Sequence, residues 1–241
     1  LGTFSYQWNR AGSAVSGETG LTYTLGQSDV GSAITVTISY TDGHNTAESI
    51  TSDATSAVAN INDAASVAIS GTATEDQTLT ATVTDEDGTS GTITYAWNRD
   101  GTAVTGATSS TYLLSQSDVG SAITVSVSFT DDYSNGESAT SSATSAVANL
   151  NDDPTGSVTI SGTPTEDEVL TAANTLADED VLGTITYTWS NGDTGSTTTL
   201  GQSDVGNAIT VTASYTDGQG TAESSTSAAT TAVANVNDAG S

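Results

Sequence analysis

The chain has 241 residues, of which 29 are Asp or Glu and 2 are Lys or Arg, so its formal net charge at pH 7 is −27. Nucleic acids and anionic membranes attract positively charged surfaces, and this balance argues against both as partners. There is no Cys, and no apolar run approaches the roughly 18 residues that a membrane helix needs, so we expect neither disulfides nor membrane insertion.

Alternating apolar and polar residues predict short strands along the chain. Residues 34–40, 123–129 and 209–215 each place an apolar or aromatic residue at every second position, with Thr or Ser between them. Five further strands are predicted at 67–70, 78–83, 93–98, 110–114 and 139–148. One face of each strand is then apolar and the other rich in hydroxyl groups, as half-buried antiparallel strands require.

Three repeats organise these strands. The string QSDVG begins at Gln27, Gln116 and Gln202, at intervals of 89 and 86 residues. The string VAN-x-ND recurs at the same intervals, and each repeat contains one Trp. About seven short strands in roughly 90 residues are typical of an immunoglobulin-like sandwich. We therefore predict an all-β protein, with tandem immunoglobulin-like antiparallel β-sandwich domains in a linear rod.

The tail string sets the predicted domain boundaries, which give domains at residues 1–62, 63–151 and 152–241. Residues 2–8 align with 91–97, so the first repeat has no counterpart of about the first 27 residues of the second. Strands A and B of the sandwich are expected there, and their loss exposes sheet edges and half of a core. Either the chain was cut at this point or another segment supplies the two strands.

The three Trp residues are interpreted as core residues, and the single His as a surface residue. Trp8, Trp97 and Trp189 fall on the third predicted strand, where such sandwiches bury an aromatic side chain. Core packing of a Trp is far commoner than its use as a platform for a ligand. His44 lies in a predicted loop where the other repeats have Tyr and Gln, so we expect an exposed residue without a catalytic role.

Carboxylates concentrate in the turns at the two ends of each predicted sandwich. In an immunoglobulin topology, the A–B and E–F turns of one domain lie beside the linker and beside the B–C and F–G turns of the next. Calcium prefers about six to eight oxygen ligands, whereas one His and no Cys suit nitrogen- or sulfur-preferring metals poorly. We predict Ca²⁺ sites at both junctions, with the following candidate ligands: Asn62, Asp63, Asp85, Asp87 and Asp131 at the first, and Glu75, Asp76, Asp118, Asn151, Asp152, Asp178, Asp180 and Asp217 at the second.

A simpler interpretation of these residues is that Asp, Asn and Gly are turn formers. For any single loop this interpretation is the better one. Four loops and a linker that bring acids to one predicted location favour the metal site instead.

Two resemblances to known families rest on these motifs. The linker Asn-x-Asn-Asp, with a Glu in the A–B turn before it and an Asp-x-Asp after it, resembles the calcium junction of cadherins, although the E–F turn departs from that pattern. Over essentially the whole chain, units such as ISGTATEDQTLTATVTDEDG followed by QSDVGSAITV and VANLND resemble the extender domains of giant bacterial RTX-type surface adhesins.

The second resemblance implies a function and a location. It implies a calcium-rigidified spacer that holds a terminal adhesive module away from a biofilm-forming or marine Gram-negative cell. Type I secretion and an extracellular, cell-surface position are implied as well. The expected partners are the neighbouring repeats of the same chain, and the protein is expected to be a monomer.

Two other classes of function fit these repeats less well than the spacer does. Thr-rich segments such as 140–144 suit a glycan- or ice-binding module, but near-identical units without a unit-specific aromatic cluster favour repetition of shape. A glycosidase would need two carboxylates across a cleft, whereas the acids here lie in clusters shared by the repeats. We therefore expect no enzymatic activity and no small-molecule substrate.

Overall fold

Short antiparallel strands make up the regular structure of the protein. The computed structural model describes residues 2–237, and within them it contains 17 strands and three single-turn 3-10 helices but no α-helix. The prediction of an all-β fold is confirmed. No helix in this described range has the length and hydropathy that crossing a bilayer requires.

The chain folds into two compact units, which are described separately. As far as its residues are described, the first unit comprises Leu1–Gly71, Leu79–Tyr112 and Ile123–Thr144. The second unit comprises Thr72–Thr78, Leu113–Ala122 and Ser145–Ser241, with the same restriction. The division into three domains therefore stays a prediction.

Two four-stranded sheets belong to the first unit. The strands β1 (Ser5–Arg10), β2 (Ser13–Ala14), β3 (Ile34–Thr41) and β4 (Ala47–Thr51) form one sheet in the order β2-β1-β3-β4. The strands β7 (Thr94–Arg99), β8 (Thr102–Ala103), β10 (Ile123–Thr130) and β11 (Gly136–Thr140) form the other in the order β11-β10-β7-β8. A three-stranded sheet contains β5 (Ser66–Ser70), β6 (Thr78–Thr84) and β9 (Thr111–Leu113) in that order.

The second unit contains a β-sandwich. One sheet is formed by β12 (Val158–Ser161), β13 (Val169–Asn174) and β15 (Thr197–Thr199), and the other by β14 (Thr186–Trp189), β16 (Val211–Thr216) and β17 (Ala222–Thr226). Leu170 from the first sheet and Trp189 and Val211 from the second share one hydrophobic core. Alternation along each strand supplies this core, because every second side chain points inward.

Buried Trp residues confirm the structural interpretation for two repeats. Trp97 and Trp189 are almost fully buried, and each indole Nε1–H donates to a backbone carbonyl, of Ser109 and Gly195 respectively, at 2.9 Å. A buried Trp with its polar atom satisfied is a core residue. His44 lies exposed in a turn, which confirms its predicted surface position; its lack of a catalytic role stays a prediction.

The predicted strand at 139–148 is wrong in its extent. Regular pairing ends with β11 at Thr140. Beyond it, Ser141 and Thr144 still donate their backbone N–H groups to Val125 O and Ile123 O at 2.9 Å, but the reciprocal bonds go to side chains: Val125 N–H donates to Ser141 Oγ, and Ile123 N–H donates to Thr144 Oγ1, both at 3.0 Å. Hydroxyl oxygens take the place of backbone carbonyls, so the chain leaves the sheet. Farther on, in the second unit, Val147 forms a parallel bridge to Val119 and Ala148 forms one to Thr74.

Candidate metal centre

Glu75 is positioned by the turn after the parallel bridge between Thr74 and Ala148. Its own N–H donates to Ala148 O at 2.9 Å, and Asp76 takes a left-handed backbone conformation with φ of 60° that reverses the chain. The side chain of Glu75 is 2% exposed, and its Oε2 accepts the N–H of Leu150 at 3.3 Å. The turn thus directs a buried carboxylate at the segment that links the second repeat to the third.

Asp180 holds the same segment from the other side. It is fully buried, and its own N–H donates to Asp178 Oδ1 at 2.9 Å, which closes a local turn. Asp180 Oδ1 accepts Gln116 Nε2 and Oδ2 accepts the N–H of Asp152, each at 3.0 Å. Both oxygens of this carboxylate are therefore fixed in direction.

Three carboxylates converge at this place in the second unit. Glu75, Asp152 and Asp180 each offer an oxygen, and these oxygens lie within 4.8 Å of one another. Among residues 2–237 this is the one such group of three acidic, His or Cys side chains. The two basic residues of the chain, Arg10 and Arg99, both belong to the first unit, so no Lys or Arg of the second unit neutralises the group.

The group is electrostatically unfavourable without a cation. Burial raises the pKa of Glu75 above its ordinary value, the Leu150 N–H opposes this change, and the charges of Asp152 and Asp180 add to it. Burial also raises the pKa of Asp152, and neighbouring Asp charges, with Asp180 first, raise it further. Like charges in a poorly solvated place disfavour the ionised form, which is the form that binds a metal.

Two residues linked to the group by a hydrogen bond or by the chain carry buried oxygens without a hydrogen-bond partner. These oxygens are Gln116 Oε1 and Asn149 Oδ1. Gln116 is fixed to Asp180 through its amide nitrogen, and Asn149 directly precedes Leu150, whose N–H binds Glu75. Buried polar atoms are normally paired, and these are all acceptors. The donor set therefore fits a hard, oxygen-preferring cation.

Asp217 supplies a further unpaired oxygen in the second unit. It is buried, and its Oδ1 accepts the N–H groups of Gln219 and Thr221 at 2.9 and 2.7 Å. Its Oδ2 is buried without a partner, and the next residue, Gly218, donates its N–H to Asp180 O at 2.8 Å. One oxygen of Asp217 thus forms the turn and the other is left without a proton donor.

The remaining predicted ligands of the second junction make other contacts. Asp118 is buried and its Oδ2 accepts the N–H of Ser115 at 2.9 Å, so it caps its own 3-10 turn. Asn151 donates to Glu223 Oε1 at 2.8 Å. Asp178 Oδ2 accepts the hydroxyl of Tyr215 at 2.5 Å. Asp76 is exposed and acts on the group through its charge.

In the first unit, Asp87 makes the same two contacts as Asp180, with a Gln side chain and with the N–H of a linker Asp. Asp87 Oδ1 accepts Gln27 Nε2 at 2.6 Å, and Asp87 Oδ2 accepts the N–H of Asp63 at 2.8 Å. Asn62 donates to Glu137 Oε1 at 2.7 Å. Within the described part of this unit no three carboxylates meet as they do around Glu75.

Two other predicted ligands of the first junction mainly shape turns. Asp85 Oδ1 accepts the N–H of Asp87 at 2.8 Å, while its Oδ2 is buried without a partner. Asp131 accepts the N–H groups of Tyr133 and Asn135 through Oδ1 and the Asn135 amide through Oδ2. Burial alone would raise the pKa of Asp131, but these hydrogen bonds from Asn135 and Tyr133 lower it overall.

Sequence reasoning missed two Gln side chains that contact the B–C turns and two Glu side chains that contact the linkers. Gln27 and Gln116 donate to Asp87 and Asp180, the last acids of the two B–C turns. Glu137 and Glu223 accept the amides of Asn62 and Asn151, which lie in the linkers. The signal was the recurring Gln of QSDVG, which marks the repeat and also makes this contact.

Comparison with known proteins gives structural similarities only. No protein-family model matches the chain, and no curated protein matches it. The chain is similar to a Ca²⁺-stabilised adhesin that helps an Antarctic bacterium reach out and bind ice, with 16% identity, a TM-score of 0.34, and coverage of 100% of this chain and 68% of that one.

Two further solved structures are similar over nearly the whole chain. One is from a 1.5-MDa bacterial ice-binding adhesin studied for host cell surface retention, with 15% identity, a TM-score of 0.33, and coverage of 98% and 88%. The other is a tetra-tandem repeat in the extending region of a large adhesion protein, with 21% identity, a TM-score of 0.31, and coverage of 95% and 66%. At these TM-scores the similarities assign no function to this chain.

Proposed function

We propose that this chain is a calcium-rigidified spacer in a large bacterial cell-surface adhesin. The observation that carries the proposal is the convergence of Glu75, Asp152 and Asp180, which come from the second repeat, the linker and the third repeat. A cation bound by all three ties the linker to the turns on both sides of it. The proposed partners are the neighbouring repeats of the same chain, in an extracellular monomer that has no enzymatic activity.

Calcium suits this group better than other common metals. The available donors are carboxylate and amide oxygens, and calcium accepts six to eight of them in irregular geometry, whereas magnesium requires a near-octahedral set and keeps much of its water. Glu75, Asp152 and Asp180 would hold the ion, with Gln116, Asn149 and Asp217 as further oxygen donors. The other predicted ligands, and a second site at the first junction, stay predictions.

The spacer function follows from what the ion does to the linker. Without it, the three carboxylates, of which Glu75 and Asp180 are buried, repel one another, each pair by about 1 kcal/mol at 4 Å in water and by more where water is excluded. With it, repulsion is replaced by shared coordination, so the linker is fixed in one conformation. Domains at 63–151 and 152–241 would then be held at a constant angle, as a stiff spacer requires.

Thermal unfolding in calcium, magnesium or chelator tests whether the chain binds the proposed metal. We expect millimolar Ca²⁺ to raise the unfolding midpoint and Mg²⁺ to raise it less, because a ligand of the folded state stabilises it by mass action and extracellular calcium sites work at about 10⁻⁴–10⁻³ M. Glu75→Gln should abolish most of the rise. A midpoint that is the same in calcium and in chelator would contradict the proposal.

Glu166→Gln is the matched control for this variant. Glu166 occupies the equivalent turn of the third repeat, and its Oε2 accepts the N–H of Val236 at 3.0 Å, as Glu75 accepts that of Leu150. Among the described residues, however, Glu166 belongs to no group of three acids. Both variants lose the same kind of hydrogen bond, so only Glu75→Gln should reduce the calcium response.

Small-angle scattering tests whether calcium makes the chain stiff and extended. We expect the chain to scatter as a stiff, extended particle in calcium and as a flexible one in chelator. The double variant Asp178→Ala/Asp180→Ala should stay folded and remain flexible in calcium. Unchanged scattering of this variant would show that something other than the metal holds the linker, and retention on a glycan array or on ice would support an adhesive module instead.

A further inference from the structure

The sequence Ser-Asn-Gly occurs twice in the chain, with its Asn-Gly pairs at 135–136 and 191–192. Asn followed by Gly is prone to lose its side-chain amide, because Gly has no side chain to hinder attack of its backbone nitrogen on the Asn side-chain carbonyl carbon, Cγ. The local sequence is the same at both places, so a difference in reactivity between them must come from the fold.

At 191–192 the fold restrains both reacting groups. The attacking nitrogen is occupied, since Gly192 N–H donates to Trp189 O at 3.0 Å. The side chain of Asn191 is held at both ends, because its Oδ1 accepts the N–H of Asp193 at 3.2 Å and its Nδ2 donates to Thr198 Oγ1 at 3.0 Å. Three hydrogen bonds therefore restrain this pair.

At 135–136 the attacking nitrogen lies outside the hydrogen-bonded ladder. Asp131 N–H donates to Asn135 O at 2.9 Å, and hydrogen-bonded and non-hydrogen-bonded pairs alternate along antiparallel strands. The next pair, Thr130 with Gly136, is therefore a non-hydrogen-bonded one. Its Gly136 N–H points away from β10, and in the described part of this sheet β11 is the edge strand, so no strand of the sheet accepts it.

The side chain of Asn135 is held less firmly than that of Asn191. Its Nδ2 donates to Asp131 Oδ2 at 2.9 Å, and this is the only hydrogen bond that its side chain forms among the described residues. Asn135 is half-buried and Gly136 is exposed, so water reaches the pair. One hydrogen bond thus restrains the reacting groups here, compared with three at 191–192.

We propose that Asn135 is a site of spontaneous deamidation. Gly136 N attacks Asn135 Cγ and forms a succinimide ring, while the side-chain nitrogen leaves as ammonia with the proton from Gly136. Water then opens the ring at either carbonyl, which gives Asp on the normal main chain or isoaspartate, whose main chain runs through the former side chain. The equivalent residues at 46–47 and 221–222 are Thr-Ala pairs, so this reaction is specific to the second repeat.

The modification acts on the first linker through strand β11. Glu137 in this strand holds the linker, because its Oε1 accepts the Asn62 amide at 2.7 Å and its Oε2 accepts the Ala65 N–H at 3.0 Å. Isoaspartate adds a backbone atom directly before β11, so the side chains of this strand shift relative to β10. Both products also place a new carboxylate beside Asp131. Isoaspartate at 135 therefore loosens the hold of Glu137 on the linker, and no metal takes part in this step.

Peptide mapping by mass spectrometry tests the site on the full chain, aged in chelator at mildly alkaline pH. We expect Asp and isoaspartate to accumulate at 135 faster than at 191 by about tenfold or more, because two further hydrogen bonds of ordinary strength restrain Asn191 and Gly192. In denaturant, the common local sequence should make the two rates similar.

Gly136→Ala is the matched control. A Cβ at Gly136 would meet no atom within 4 Å, and Ala47 and Ala222 occupy this position in the other repeats, so the variant should fold normally. The added methyl group hinders attack by the backbone nitrogen. Conversion at Asn135 should slow while conversion at Asn191 stays unchanged.

Hydrogen exchange at the Ala65 amide tests the effect on the linker. It should be faster in the fraction that carries isoaspartate, and unchanged in Gly136→Ala aged for the same time. Asn135→Asp separates the added charge from the altered backbone, and its Ala65 amide should exchange more slowly than that of the isoaspartate form.

Three results would overturn the inference. Conversion at Asn191 that equals or exceeds conversion at Asn135 in the folded chain would show that these hydrogen bonds do not select the site. An unreactive Asn135 in the folded chain, with both residues converting in denaturant, would show that the strand end protects it. Unchanged exchange at Ala65 in the isoaspartate form would overturn the effect on the linker.

Discussion

One aromatic position differs between the second and third repeats by a single hydroxyl. Phe129 lies opposite Glu137 in its strand pair and Tyr215 lies opposite Glu223, so the two positions are equivalent. The Tyr215 hydroxyl donates to Asp178 Oδ2, and burial with this hydrogen bond raises the pKa of Tyr215 strongly. The equivalent oxygen of Asp85 in the second repeat is buried without a partner. The missing hydroxyl accounts for the unpaired atom.

Phe129→Tyr should therefore stabilise the first unit by about 1 kcal/mol, because a hydroxyl would satisfy a buried carboxylate oxygen. Chemical denaturation of the variant and parent in chelator measures the change. Tyr215→Phe is the reverse experiment and should destabilise the second unit. If Phe129→Tyr lowers stability, the oxygen of Asp85 is occupied by something that the new hydroxyl displaces.

The raised pKa values of Glu75 and Asp152 predict how pH acts on the metal-free protein. An acid with a raised pKa in the folded state binds its proton more tightly there than in the unfolded state. It therefore stabilises the fold below its ordinary pKa, here 4.5 for Glu and 3.8 for Asp, and this contribution is lost as the pH rises through the raised value.

In chelator, the midpoint of the second unit should thus fall as the pH rises from below those ordinary values to neutrality. Calcium should remove much of this decrease in the midpoint, because the cation takes the place of the protons. In chelator, the variant Glu75→Gln should show a smaller decrease than the parent. Thermal scans across this range measure the effect, and a midpoint that rises steadily in chelator would contradict it. The lowered pKa of Asp131 has the opposite effect on the first unit, because its contribution to stability is lost as the pH falls.

At the scale of single strands, the departure of the chain after β11 depends on two hydroxyl groups. Ser141 and Thr144 accept the N–H groups of Val125 and Ile123, and Ser52, Thr55, Ser227 and Thr230 make the same contacts in the other repeats. Ser141→Ala should cost about 1–3 kcal/mol, since it leaves the buried N–H of Val125 without an acceptor.

Ser138→Ala, an exposed change in β11, is the control and should be close to neutral. Denaturation curves and hydrogen exchange at the Val125 amide measure both variants. Unchanged exchange at Val125 in Ser141→Ala would show that another acceptor replaces the hydroxyl.

The alternation of apolar and polar residues predicted the bounds of most strands to within one or two residues, because it reports directly which side chains face a core. It failed at 139–148, where Ser and Thr read as the outer face of a strand but bond to backbone amides. For the site, composition located the acids, since oxygen-rich turns recur in each repeat. It did not find Gln116 or Asn149, because whether an amide oxygen is left buried without a partner depends on the neighbours that folding gives it.

At the scale of the whole molecule, the charge of −27 predicts a response to salt. In chelator, NaCl should raise the unfolding midpoint, because screening over a Debye length of about 8 Å at physiological ionic strength weakens repulsion among exposed acids. The additional rise from calcium should persist in high salt, since buried coordination is screened much less. Scans in CaCl₂, MgCl₂ and NaCl at equal ionic strength separate these effects. A calcium rise that vanishes in high salt would identify general screening as its cause.

The parallel bridges near the end of each repeat have a mechanical consequence. Ala148 and Ala234 run alongside Thr74 and Thr165 in the same chain direction, with hydrogen bonds on both sides of the first pair at 2.9 Å. When the two ends of such a repeat are pulled apart, the paired segments must slide past each other, so their hydrogen bonds carry the force together instead of opening one after another. Tension along the chain therefore loads this pairing in shear, which is the direction in which it is hardest to break.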